Sequence, residues 1–103
     1  MTRRQERFQQ LLAELAAKYI EKNIEGSLVT VTNAFLPADL KRVTIFITVL
    51  PETNENLVLE TLREKIKDFR LFLGREITTK FVPQIDIKLD PGKKTRELIA
   101  KLT

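Results

Sequence analysis

The side chains in this chain that have chemistry to offer are cations. Arg63, Lys67 and Arg70 stand at i, i+4 and i+7, a spacing that a helix turns into one stripe. Lys65 lies beside them, and Arg75 and Lys80 follow. Of the three acids of the same stretch, Glu64 and Asp68 fall on the other flank, and Glu76 follows Arg75. Arg4 and Arg7 open the chain's first helical pattern, at the positive end of a helix dipole. A basic side chain there is unfavourable by roughly 0.3–1 kcal/mol, so helix stability does not account for either. They are a solvated terminus or they meet phosphate. Lys41 and Arg42 form a third basic group at a turn between two strand patterns. A set of cations of this kind suits contact with a phosphate backbone, which positions a nucleic acid without reading its sequence. A charge run on a helix is more often a solvated face, and segregation of the signs shifts that balance toward binding.

Other chemistry is poorly provided for. With 0 His and 0 Cys, the usual general base, the thiolate nucleophile, disulfides and Cys-based zinc sites are all missing. Asp39, Glu52, Asp86 and Asp90 sit at turns or on the wet side of a strand pattern, and the 3 glycines form no phosphate-cradling loop. The expectation is a protein that is not an enzyme, with no cofactor, no metal and no small-molecule substrate. The net charge of +4 leans mildly toward an acidic partner. No apolar run is long enough to cross a bilayer, and residues 1–7 have no apolar segment behind them for a signal peptide, so an intracellular, cytoplasmic protein is expected.

The elements that must hold these cations can be read from periodicity. Phe8, Leu11, Leu12, Leu15, Ala16, Tyr19 and Ile20 make the apolar stripe of a helix over 4–22, stopped near Gly26. Residues 28–35 are rich in β-branched types and read as a strand. Residues 43–50 form a second, with Val43, Ile45, Ile47 and Val49 facing one way, paired to the first as an antiparallel hairpin. Thr53 or Asn54 can cap a long helix in which Val58, Leu62, Ile66, Phe69, Leu73 and Ile77 share a face. Gly74 within it must break the helix, permit close packing or admit a ligand's backbone. Ile85, Ile87 and Leu89 then alternate with polar residues as a third strand, reached by a crossover. Asp90-Pro91-Gly92 is a turn, and Leu98, Ile99 and Leu102 suggest a short helical or frayed tail over 91–103. Three strands with helices on one side make an α+β layer in a single domain, with its core in about residues 4–90.

The ordered series Val29-Thr30-Val31-Thr32, Asp39-Leu40 leading into Val43-Thr44-Ile45-Phe46-Ile47-Thr48-Val49, Phe69-Arg70-Leu71-Phe72-Leu73-Gly74, Phe81-Val82-Pro83-Gln84-Ile85 and Asp90 resembles the bacterial ribosome-binding factor A family, as does the opening Arg4-x-x-Arg7. The resemblance spans nearly the whole chain. It implies a type II KH-like domain in the order α-β-β-α-α-β, with a three-stranded sheet and the helices packed on one face. It also implies a non-catalytic cytoplasmic assembly factor, linked to growth in the cold. Such a factor binds the small (30S) ribosomal subunit and its 16S ribosomal RNA in late maturation, and is a monomer off the ribosome. On that view Arg4, Arg7, Lys41, Arg42, Arg63, Lys65, Lys67, Arg70, Arg75 and Lys80 would contact RNA.

The family's Ala-x-Gly kink between its second and third helices falls here on Lys65-Ile66-Lys67, where neither alanine nor glycine is present. A helix running straighter to Gly74 and one bending without compositional help are both open. The loop at 23–26 is also shorter than the family's usual connection. The competing reading is a KH-like or ferredoxin-like protein-interaction module with a solvated basic face, and an exposed apolar patch around Phe46 or Phe72 would favour it.

Overall fold

A computed structural model describes residues 3–78 and 81–92. Residues 93–103 of the proposed tail and Lys80 lie outside the described residues. Helix α1 (Arg3–Asn23) leads to strands β1 (Leu28–Phe35) and β2 (Arg42–Leu50), a 3-10 turn (Glu52–Asn54), helices α2 (Glu55–Glu64) and α3 (Ile66–Glu76), and strand β3 (Gln84–Leu89). The sheet order is β1-β2-β3, with β1 antiparallel and β3 parallel to β2. The crossover through α2 and α3 is what permits the parallel pair.

The alternation seen in the sequence is the alternation in space. Val43, Ile45, Ile47 and Val49 are buried beneath the helices, as are Ile85 and Ile87. On α1 the buried set is Leu12, Leu15, Ala16, Tyr19 and Ile20. Gly26 ends the connection after α1 with φ +80, a conformation glycine adopts without steric cost. In β1 the register slips between Val31 and Asn33, leaving Thr32 as a bulge.

The long helical pattern is two helices. The break is at Lys65, whose φ of −93° and ψ of 10° leave the helical region. Any residue can occupy this bridge conformation, so neither alanine nor glycine is required. Lys65 keeps its backbone bonds: its N–H donates to Thr61 O at 3.1 Å, and its carbonyl accepts from Phe69 N at 2.9 Å. One turn earlier the Thr61 hydroxyl donates to Leu57 O at 2.8 Å, a side-chain bond that tends to bend helices. Burial holds the bend from both sides. Val58, Leu59 and Leu62 of α2 are buried, as are Phe69 and Leu73 of α3. Ile66, next to the break, is only partly buried. α3 turns toward α1, where Tyr19 stacks on Phe69 with ring centroids 4.3 Å apart and meets Phe72 edge-on at 5.5 Å.

Of the three readings open for Gly74, a break in the helix is ruled out, because α3 runs through it to Glu76. Asn54 stands at the N-cap of α2, but its amide donates instead to Ser27 Oγ at 2.9 Å, tying α2 to the loop before β1.

Candidate nucleic-acid interface

Hydrogen bonds fix two groups of cations, one beside the connection between β1 and β2 and one on α3 beside the segment that precedes β3. The connection between β1 and β2 is anchored to α1: the Gln5 amide donates to Leu36 O at 2.7 Å, and Leu36 N donates to Gln9 Oε1 at 2.9 Å. Leu36 has 0% exposure, so both of its backbone groups depend on these glutamines. This fixes the first turns of α1, with Arg4 and Arg7, beside that connection. At its far end the Lys41 carbonyl accepts from Gln84 N at 2.8 Å, and Arg42 pairs with Gln84 in register. Asp39 Oδ1 accepts from Lys41 N at 3.0 Å and shapes the turn. Lys41 and Arg42 are both exposed.

The segment that precedes β3 is held by α3. Arg70 donates from Nε to Pro83 O at 3.2 Å and from Nη2 to Val82 O at 2.9 Å. Part of this guanidinium therefore fastens backbone, and only its remaining N–H groups are left for another partner. Arg63 behaves in a similar way: its Nη2 lies 3.4 Å from Ile87 O, farther along β3. The two arginines of the stripe inferred from spacing turn to backbone, Arg63 to β3 and Arg70 to the segment before it. Between Ile87 and Pro83 the strand spans roughly 13 Å. Lys65 is half-buried at the break, whereas Lys67 and Arg75 are exposed.

Lys67, Arg70 and Arg75 share one open hollow of about 650 Å³ with Leu71, Gly74 and Val82. Leu71 is 65% exposed, an apolar floor among cations. A methyl group placed on Gly74 would stand 3.5 Å from Val82 Cγ2, an ordinary contact. Gly74 is therefore not demanded by packing, and its effect is to widen the hollow. Leu71 and Val82 are the parts of this hollow that the cation pattern misses, whereas Gly74 stands out in the sequence. The signal for Leu71 was a leucine out of phase with the apolar stripe of α3. Positive charge around a shallow apolar floor fits a sugar–phosphate backbone with one base or sugar against the surface.

Tyr19 holds this arrangement from beneath. Its hydroxyl donates to Asp68 Oδ2 at 2.7 Å, joining α1 to α3 one residue from Lys67. Burial, and then the hydrogen bond to Asp68 and its charge, push the Tyr19 pKa up. Phe72 is half-buried against Tyr19 and is committed to this cluster. Phe46 is half-buried on the opposite, helix-free face of the sheet, diagonal to Phe35, which is 50% exposed. No helix among the described residues is long and apolar enough to cross a membrane.

One helix, a hairpin, a bent helix pair and a parallel third strand, with all helices on one face, define a type II KH-like domain. The chain belongs to the ribosome-binding factor A family, whose model matches residues 1–103. It is 32% identical over 82 residues to ribosome-binding factor A of Bradyrhizobium sp. (strain ORS 278), a match covering 80% of this chain and 59% of that protein. The fold is similar to the crystal structure of ribosome-binding factor A from Thermus thermophilus, with a TM-score of 0.75 at 17% identity, covering 82% of this chain and 93% of that one. It is also similar to the solution structure of a putative ribosome binding factor A from Thermotoga maritima, with a TM-score of 0.73 at 19% identity, covering 89% and 92%.

Proposed function

We propose that this protein is a non-catalytic, cytoplasmic ribosome assembly factor that binds the small (30S) subunit and its 16S ribosomal RNA during late maturation, and is a monomer when free. The observation that supports the reading is the hollow on α3 that Lys67, Arg70 and Arg75 share, in a member of this family, with Arg4, Arg7, Lys41 and Arg42 as further proposed contacts beside the β1–β2 connection. Exposed cations give salt-dependent affinity, and the hollow gives a place for one unstacked base. Arg63, Lys65 and Arg70 lie along the same side, with Arg70 shaping the surface as well as charging it. Lys80 belongs to the proposed set by sequence position.

Co-sedimentation with separated small and large subunits across a salt series tests the proposal. The expected result is selective retention on the small subunit. With about five phosphate contacts, log affinity against log salt has a slope near −3.5 to −4.5. Replacing Arg4, Arg7, Lys67 and Arg75 by glutamine should flatten that slope. Equal binding to both subunits, or a flat salt response in the parent protein, would refute it. Either result would favour the second reading, a protein-interaction module, for which the Phe35–Phe46 pair on the open sheet face is the supporting observation.

A further inference from the structure

The two edges of the sheet are treated differently. β3 is guarded: Arg63 reaches the Ile87 carbonyl on it, Arg70 holds the segment just before it, and Asp86 and Lys88 project from it, 3.8 Å apart. Charges and covering side chains are how edge strands avoid pairing with other chains. β1 has no such guard. Leu28–Phe35 contains no charge and no proline, and among the described residues nothing pairs with its outer edge. Its one protection is the bulge at Thr32, which leaves 28–31 as regular ladder.

A groove follows this edge between β1 and α1. Two hollows of about 350 and 230 Å³ adjoin along it and share Val31. Its floor is apolar and incompletely covered. Val29 and Val31 are half-buried, whereas their β2 partners Val49 and Ile47 are 2% and 0% exposed. The inner layer of the sheet is thus one strand short on this side. The wall is a single face of α1, on which Glu6, Gln10, Ala13, Ala17 and Glu21 follow at steps of four, three, four and four. Its charges are acidic. Of the bases of α1, Arg4, Arg7, Lys18 and Lys22 lie on the other flank, beside the Leu15–Tyr19 stripe that faces α3, while Arg3 stands one turn before Glu6 at the groove's end, and none of the five lines the groove. In a chain of net charge +4, this groove carries the opposite sign.

We propose that the β1 edge is a second binding site, which takes an extended, lysine- and arginine-rich peptide segment of a partner protein as a fourth strand. Backbone bonds to β1 would supply affinity. On the side that faces α1, small apolar side chains in the middle of the segment would complete the layer over Val29 and Val31, and basic side chains on that same side at its two ends would meet Glu6 and Glu21. A second copy of this chain fits less well, because it would bring the same acidic wall to the groove.

The test uses the full-length protein and two capped ten-residue peptides. In the first, the alternate positions of one face read lysine, valine, valine and arginine, with threonine between them; in the second, serine replaces the valines. The first should bind at least about tenfold more tightly, since only it offers apolar side chains. It should also slow hydrogen exchange of amides within Leu28–Phe35. The Glu6→Lys/Glu21→Lys variant should weaken binding about tenfold. Ala17→Trp fills the groove from an exposed helix position and should abolish binding, while Lys18→Glu on the other flank should leave it unchanged. Equal binding of the two peptides would reduce the effect to diffuse charge attraction and overturn the proposal. So would binding without protection of β1, or binding that survives Ala17→Trp. Concentration-dependent protection of β1 in the protein alone would assign the edge to self-association and overturn it equally.

Discussion

Arg70 separates two roles that a positive charge can play. Replacing it with lysine keeps the charge but removes the planar fork that reaches two carbonyls at once. Those carbonyls, Pro83 O at 3.2 Å and Val82 O at 2.9 Å, then lose a charged donor. A hydrogen bond to a charged group contributes about 1.5–3 kcal/mol when buried. Arg70 is half-buried, and water can replace part of what is lost. The expected cost of Arg70→Lys is therefore about 1–2 kcal/mol for the pair of bonds. For a domain of this size that lowers the unfolding midpoint by roughly 5–15 °C. Lys67→Gln, on the exposed side of the same hollow, should stay within about 0.5 kcal/mol of the parent protein. Thermal unfolding followed by circular dichroism, with urea titration as a check, measures both. RNA binding should show the reverse order: Arg70→Lys should keep the parent salt slope, and Lys67→Gln should flatten it. An Arg70→Lys protein that melts with the parent would refute the clamp, as would a Lys67→Gln protein destabilised to the same extent.

Tyr19→Phe should cost about 1–2 kcal/mol by removing the bond to Asp68. Because folding raises the Tyr19 pKa, the folded state holds this proton at pH values where the unfolded chain has released it. The stabilisation is therefore complete below pH about 10 and is lost as the pH rises beyond it, a loss that the phenylalanine variant should lack in paired alkaline urea titrations. Tyr19 is the sole tyrosine, so an ultraviolet titration of tyrosinate in the folded protein follows this group alone and should show no midpoint at its ordinary value. Gly74→Ala should stabilise α3 by about 0.5–1 kcal/mol, read as a rise in urea midpoint; a fall would mean that Val82 does not accommodate the methyl group. Gln9→Ala leaves the Leu36 N–H without its acceptor at a fully buried position and should cost about 1–3 kcal/mol by the same assay.

What was legible in the sequence was whatever repeats. The period of two in 43–50 named the four residues that β2 buries, and the helical stripe named Val58, Leu62, Phe69, Leu73 and Ile77 as core. Leu59 escaped that stripe because α2 leans on the sheet with a wider face than one line of residues. The bend at Lys65 was left open because it depends on a backbone setting that every residue type can adopt. The cations were visible as cations. That Arg63 and Arg70 spend hydrogen bonds on β3 and the segment before it was not, since their acceptors are carbonyls, which no residue letter marks. Gln5 and Gln9 were hidden for the same reason: a glutamine on a helix is usually solvated, and only the location of Leu36 gives these two a task.

The bend at Lys65 has a consequence for how this surface can change. No residue in the chain forces the angle; it is imposed by the neighbours on which α2 and α3 lie, much as a folded hinge takes its angle from the frame rather than from the pin. Cut free of that frame, residues 55–76 have no proline and no helix-ending residue before Gly74, and they are expected to close into one uninterrupted rod. Substitutions at position 65 itself should then leave the angle untouched. Substitutions under Phe69, on the α1 side, should move it and carry the hollow with it. The shape of this face is in that sense written in α1 rather than in the helices that display it.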